Sequence, residues 1–318
     1  MTRPRAADVE PVVLSRTPVG DDVVVLELGS PDGSPLPAWT PGAHIDVLLP
    51  SGLVRQYSLC GDPSAPTWRL GVLRETRSRG GSTWVHDRVA EGQTLRLAGP
   101  RTHFAFDEAG DRPVLFLAGG IGITPIAPMA AAAAAAGRDY ALHYAGHKGR
   151  MALVDELAAT HGDRMALHVS ERGDRVDLAA LFADADPATV VYCCGPARLI
   201  DAAEAAAAAS GLEFHTERFE AGTLSAPVWD GPFEVELAMT GVTVEVPPER
   251  SVLSVVEEAG ALVLSSCTEG TCGTCETPVL EGEVDHRDSI LTPAERARND
   301  VMFVCVSRAA CPRLVLDL

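Results

Sequence analysis

The sequence predicts a multidomain α+β chain: an antiparallel β-barrel, a doubly wound α/β domain, and a C-terminal mixed sheet of the β-grasp kind. Three observations predict it. Short strands punctuated by Gly, Pro and Asp fill the first third, strands and helices alternate through the middle, and a cysteine loop lies in the strand-rich end. The expected boundaries are residues 1–108, 109–226 and 232–318. At 318 residues, 46% hydrophobic and 22% charged, the chain can bury an ordinary globular core in each part.

In the first part the candidate strands are Val12–Ser15, Val23–Leu28, His44–Leu49, Val54–Leu59, Trp68–Leu73 and Thr94–Ala98, with one short helix over Ser82–Val89. Evenly spaced short strands suggest closure into a barrel. Alternation on the fourth puts Arg55, Tyr57 and Leu59 on one face and Ser58 on the other. An arginine fork suits a phosphate, a tyrosine an aromatic wall, and a serine hydroxyl a ring nitrogen. A solvated strand arginine is the bland reading of the same residues. Arg79-Gly80-Gly81-Ser82-Thr83 opens the helix, where exposed amides and hydroxyls make either an anion site or a plain capped loop.

In the middle, the continuous apolar run 113–118 reads as a buried parallel strand. It enters Gly119-Gly120-Ile121-Gly122-Ile123-Thr124-Pro125, with Thr124 the expected N-cap and Pro125 the first helical residue. Such a turn presents amides to a pyrophosphate, although Pro125 stands where a dinucleotide fingerprint has its third glycine. Strands follow at Tyr140–Ala145, Ala166–Ser170 and Thr189–Cys193, and helices at Leu153–Thr160 and Leu199–Ser210, the latter after Cys194-Gly195-Pro196. This alternation implies a ligand beyond the strand C-termini. After the second strand, His147, Lys148 and Arg150 could take a 2′-phosphate; after the third, Glu171 could take a ribose hydroxyl.

Ala221–Pro232 has linker composition. Beyond it, strands Phe233–Met239 and Val242–Val246 flank a Thr240-Gly241 hairpin signal, and Ser251 caps a helix ending at Gly260. Further strands are Thr277–Glu281, Val301–Val306 and Leu314–Leu318, and Thr292-Pro293-Ala294-Glu295 is a capping box. Cys267, Cys272 and Cys275 have the spacing C-x4-C-x2-C, and Cys305 follows thirty residues later. That is the plant-type ligand spacing of a [2Fe–2S] cluster. Gly270 and Gly273 let the loop curl so that amides reach the sulfurs. Structural zinc, a disulfide pair, and Cys311 as fourth ligand stay open as alternatives. A Rieske centre requires two histidines, and the loop has none.

The net charge of −18 argues against nucleic acid as a partner. The most apolar run, Ile126–Gly137, is short for a membrane span, and no signal segment opens the chain. Eight cysteines in such a chain point to cytoplasmic metal or redox use. From Gly231 to Leu318 there are 15 acidic and 6 basic residues, a net of −9. That is either a merely soluble surface or a docking face for a basic redox partner.

The motifs R-x-Y-S, G-G-S, G-G-x-G-x-T-P, C-G-P and the four cysteines, in that order, resemble the phthalate dioxygenase reductase family, most of all its vanillate demethylase reductase branch. The likeness runs through essentially the whole chain. It is most specific in Ser266–Glu276, Asp285–Asp288, Cys305–Ala309 and Leu314–Leu318. The resemblance implies a barrel that binds FMN, a domain that binds NADH (NADPH being possible), and a plant-type ferredoxin. It implies that Arg55 and the Gly80-Gly81-Ser82-Thr83 segment hold the FMN phosphate. Tyr57, Ser58, the Val72–Arg74 backbone and Phe219 would line the flavin ring. Gly119, Gly120, Gly122, Thr124 and Pro125 would meet the NADH pyrophosphate, with Cys194, Gly195 and Pro196 near the nicotinamide. Many relatives have Arg-Ser where this chain has His147-Lys148, so cofactor preference stays open.

NADH gives up two electrons as a hydride and a cluster takes one at a time, so a flavin must stand between them. No side chain need act as an acid or base. The chain has no haem-cysteine, Rieske or mononuclear-iron motif, and the expected acceptor is a separate terminal oxygenase, of Rieske non-haem iron or cytochrome P450 type, docking near the acidic ferredoxin domain. A stand-alone flavin or ferric reductase and a redox-sensing interaction module are the rival readings.

Overall fold

The computed structural model describes residues 8–75, 80–220 and 226–318. The chain forms two compact units, one ending at Glu217 and the other beginning at Arg218. No helix among the described residues is long and apolar enough to cross a membrane.

The first unit opens with β1 (Asp8–Val9), β2 (Val12–Val19), β3 (Val23–Gly29), β4 (Ala43–Leu48), β5 (Val54–Ser58), β6 (Trp68–Leu73), α1 (Gly81–Arg88) and β7 (Arg96–Thr102). Antiparallel pairing builds the sheets β1-β7-β4-β5 and β2-β3-β6. Single bridges, Leu59 to Leu70 and Val12 to Thr94, join them at two places. β3 is buried on both faces. Val24, Leu26 and Leu28 meet Ile45, Trp68 and Leu97 inside the antiparallel part, whereas Val23 and Val25 join the core of the next part.

There follow β8 (Val114–Gly119), α2 (Ile123–Ala135), β9 (Tyr140–Gly146), α3 (Val154–His161), β10 (Met165–Val169), α4 (Leu178–Ala183), β11 (Val190–Cys194), α5 (Ala197–Ser210) and β12 (Glu213–Glu217). All five strands are parallel, in the order β10-β9-β8-β11-β12. Period-two alternation divides their side chains between two helix layers. Phe116, Ala118 and Tyr192 pack with α2, and Leu115, Leu117 and Val191 with Phe182 of α4 and Ile200 of α5. Thr124 is not the N-cap expected from sequence. The helix starts two residues earlier, at Ile123, Gly122 is the cap, and the Thr124 hydroxyl donates back to the Ile121 carbonyl. The glycine turn tightens through a 3-10 segment at Gly120–Gly122, closed by the Ile123 amide donating back to the Gly120 carbonyl.

The second unit contains β13 (Phe233–Leu237), β14 (Val242–Val246), α6 (Val252–Glu258), β15 (Glu276–Glu281), β16 (Val284–Asp285), α7 (Pro293–Arg298), β17 (Val301–Phe303), β18 (Arg308–Ala309) and β19 (Arg313–Leu316). Its main sheet, β14-β13-β19-β15-β17, is mixed, because β13 and β19 run parallel. Phe233, Val235, Val252, Val256, Phe303 and Leu314 fill the core beneath α6. The Ser251 hydroxyl caps α6, and α7 has the complete Thr292–Glu295 capping box.

Candidate functional site

The four cysteines converge because a sheet closes the thirty-residue gap between the last two. Cys275 immediately precedes β15 and Cys305 follows β17, and these strands pair with Glu276 opposite Phe303. The Val304 amide donates to the Cys275 carbonyl (3.4 Å). All four thiols are buried; Cys267 lies within hydrogen-bonding reach of Cys272 and Cys305, and Cys275 within reach of Cys305. Among the described residues no group of three or more His, Cys, Asp or Glu side chains is arranged to hold a single metal ion.

The loop fits a [2Fe–2S] cluster. Amides of Glu269 and Thr271 donate to Cys267 Sγ at 3.3 and 3.5 Å, and Cys272 Sγ lies 3.2 Å from Thr274 Oγ1. Gly270 has φ +69°, and a Cβ there would lie 2.5 Å from Val306 Cγ2 and 3.1 Å from the Asp288 backbone. Only glycine can hold that turn. Cys267 is the thiol on which hydrogen bonds from Cys272 and Cys305 converge, which lowers it while Cys272 and Cys305 are raised in turn. Cys311 is engaged elsewhere: its sulfur accepts from the Glu283 amide (3.2 Å) and donates to the Arg313 carbonyl (3.0 Å).

In the first unit, the N-terminus of α1 meets Arg55 of β5. A Cβ on Gly81 would stand 2.5 Å from Arg55 Cγ and 2.9 Å from its Nε, so the arginine side chain lies against the first turn of α1, with Nη1 donating to the Val54 carbonyl (2.7 Å). An arginine beside a helix N-terminus has the chemistry to hold a phosphate. Ser82 is buried, and its hydroxyl accepts from the Glu75 amide (3.0 Å), tying α1 to the end of β6. Tyr57, one alternation from Arg55, has its phenol pushed up to about 12 by burial. The Val72 carbonyl faces His86 Nε2 (3.0 Å), and Arg74 pairs with Asp87. Arg79 lies outside the described residues. Phe219 belongs to the second unit and is 41% exposed.

The nucleotide turn stands where the strand order reverses. From β8 the chain steps outward to β9 and β10, then returns to β11 on the other side. The β8 and β11 ends therefore open a crevice, the place where such sheets bind ligands. Gly119–Gly122 and Cys194–Pro196 meet there: a Cβ on Gly122 would sit 2.4 Å from the Cys194 carbonyl, and one on Gly119 2.6 Å from Pro196. Gly71 of β6 closes on the same turn, with 2.9 Å between its virtual Cβ and Thr124. At the next strand ends, the Glu171 carboxylate accepts from the Lys148 amide (3.1 Å) and faces His147 Nδ1 (3.2 Å), so the two candidate determinants of cofactor choice are joined.

Sequence reasoning missed one residue at this junction. Ser58 donates to Glu217 Oε2 (3.2 Å), at the end of β12, and the buried His44 lies 3.9 Å from Oε1. Burial pushes the Glu217 carboxyl up to about 8, and burial likewise raises the Cys194 thiol well above its ordinary range. Ser58, Cys194 and Glu217 thus form one buried polar group linking the antiparallel and parallel parts. Nothing local in Glu213–Glu217 marks the last glutamate, since its burial depends on β5, 159 residues away.

The pattern of the 2Fe-2S iron-sulfur cluster binding domain (Fer2) matches residues 235–310. The vanillate O-demethylase oxidoreductase of Pseudomonas sp. strain HR199 is 41% identical over 98% of this chain and 100% of its own length. The solved phthalate dioxygenase reductase is 35% identical with a TM-score of 0.68, over 98% of both chains. The chain belongs to the phthalate dioxygenase reductase-like family. Members include the toluene-4-sulfonate monooxygenase system reductase subunit TsaB1 of Comamonas testosteroni, 43% identical over 98% of this chain and all of its own. Like them, the chain is an oxidoreductase of the oxygenase-reductase type. The family's fold also occurs within larger chains: CYP116B46 of Tepidiphilus thermophilus is 48% identical with a TM-score of 0.85, and this chain spans 43% of it.

Proposed function

We propose that this chain passes electrons from NADH through FMN to its own [2Fe–2S] cluster, and from there to a separate terminal oxygenase of Rieske non-haem iron or cytochrome P450 type. The convergence of Cys267, Cys272, Cys275 and Cys305 carries this reading. Residues 1–108 form the FMN-binding barrel, an assignment the two bridging pairs Leu59–Leu70 and Val12–Thr94 support. Residues 109–226 form the doubly wound NAD-binding domain, supported by helix layers on both sheet faces. Residues 232–318 form the β-grasp ferredoxin. Eight cysteines, four of them the proposed cluster ligands, suit the reducing cytoplasm.

A bound flavin accepts two electrons as a hydride and releases them singly, which is the conversion the relay needs. The chain's own residues do the positioning. Arg55 and the amides of Gly81, Ser82 and Thr83 would hold the phosphate, and Tyr57, Ser58 and the Val72–Arg74 backbone the ring. Gly119–Pro125 would take the NADH pyrophosphate, leaving the nicotinamide near Cys194. Burial keeps that thiol neutral, so it serves as wall and not as nucleophile. Glu171 supports NADH over NADPH, because its carboxylate accepts from a ribose hydroxyl and repels a 2′-phosphate.

The test is one anaerobic titration followed by reconstitution. Heat should release one FMN per chain, NADH should bleach both flavin and cluster absorbance, and added oxygenase should be reduced. Released FAD would overturn the flavin assignment. A correctly loaded cluster that NADH leaves oxidised would overturn the relay.

A further inference from the structure

Between the end of α6 and Cys267 the chain runs Ala261-Leu262-Val263-Leu264. Ala261 and Val263 pack against the core of the second unit, and alternation turns the two leucines outward. Leu262 is 98% exposed and Leu264 58%. Large apolar side chains left in water beside one another are surface that folding does not use and association can. The carboxylates around them add a sign. From Ser251 to His286 the sequence holds seven acidic residues and no Lys or Arg. Glu257 and Glu258 stand just before the leucines and Glu269 just after; Glu258 pairs with Arg250 (2.6 Å), and Glu257 is exposed.

We propose that Leu262 and Leu264 form the apolar centre of the face through which the cluster unit docks on its electron acceptor. The acceptor is a protein whose own apolar patch is ringed by Lys and Arg. This deepens the relay reading and rests on it. The leucines supply affinity when the partner covers them, and the surrounding carboxylates supply orientation and encounter rate. The strip leads directly into the loop holding Cys267, so a partner seated on it is next to the ligand shell. One electron passes from the reduced cluster to one ferric centre of the acceptor, with no atom or proton transferred.

The probe is ferricytochrome c, a basic one-electron acceptor with an exposed apolar haem edge, used with the full-length holoprotein. The variants are the double exchange Leu262→Ser with Leu264→Ser, and separately Glu257→Lys. Both lie on the surface, and unchanged melting curves check their folding. For the leucine variant, KM for cytochrome c should rise about tenfold. NADH reduction of its flavin and cluster, and turnover with ferricyanide, should stay within about twofold. Glu257→Lys should flatten the fall of cytochrome c turnover with salt. An unchanged KM with an intact relay would overturn the docking face alone. Slowed cluster reduction in the leucine variant would also overturn it, since the strip would then serve contact with the chain's own flavin. A wild-type chain unable to reduce its cluster with NADH would overturn the relay, and this proposal with it.

Discussion

Glu217 combines a buried carboxyl with a hydroxyl partner and no full ionic one, as His44 stands 3.9 Å away. Burial raises its folded-state pKa from 4.5 to about 8. The folded chain therefore keeps a proton there that the unfolded chain releases above about pH 4.5. The resulting stabilisation is complete below that pH and disappears as pH rises through about 8. Thermal melts between pH 5 and 9 should show the wild type losing stability relative to Glu217→Gln, by an amount on the order of a few kcal/mol across the window. Parallel curves would mean that Glu217 is solvated in the folded chain. Glu171 allows a second test at this scale. Glu171→Gln removes the repulsion of a 2′-phosphate while leaving His147 and Lys148 in place, so the ratio of kcat/KM for NADPH over NADH should rise about tenfold. A constant ratio would show that Glu171 does not face the ribose.

The proposed phosphate cradle is a contact between two elements, the first turn of α1 and the β5 arginine. Gly81→Ala leaves the helix comfortable, but its methyl displaces Arg55. FMN should bind about tenfold more weakly, measured by flavin fluorescence, while the melting temperature of the apoprotein stays constant. Equal affinity would remove Arg55 from the phosphate site. In α7, Thr292→Ala removes the hydroxyl arm of the capping box, leaves the residue-292 amide donating to Glu295, and should cost about 1 kcal/mol in chemical denaturation of the second unit. That box was legible because all its determinants lie within four residues, as were Ser251 over α6 and the hairpin at Thr240-Gly241. The strands β3, β6 and β14 were legible for a related reason, since apolar runs between turn residues carry their own boundaries. α4 and β12 were not legible. α4 has six residues and one buried aromatic, Phe182, and β12 is largely half-buried with no apolar alternation. The cysteine spacing singled out four thiols that the fold brings together, but the contact of Ser58 with Glu217 needed the fold to bring distant strands together.

At the scale of the whole molecule, the two units keep separate cores, with Phe233, Val256 and Leu314 in one and the cores of both sheet systems in the other. Each side of the relay should therefore fold when the chain is divided. A fragment of residues 1–220 should bind FMN and reduce ferricyanide with NADH, yet reduce cytochrome c at least about tenfold more slowly than the intact chain. A fragment of residues 226–318 should take up two irons and remain oxidised when NADH is added alone. Mixing the two should restore cluster reduction at a rate proportional to concentration. In the intact chain the short connection holds flavin and cluster at an effective concentration of about millimolar, so fragments mixed at micromolar levels should be slower by about 10² to 10³. Cluster reduction in the intact protein, by contrast, should not change on dilution. If dilution slowed it, the electron would be crossing between two chains, and the covalent union of the units would serve something other than the relay.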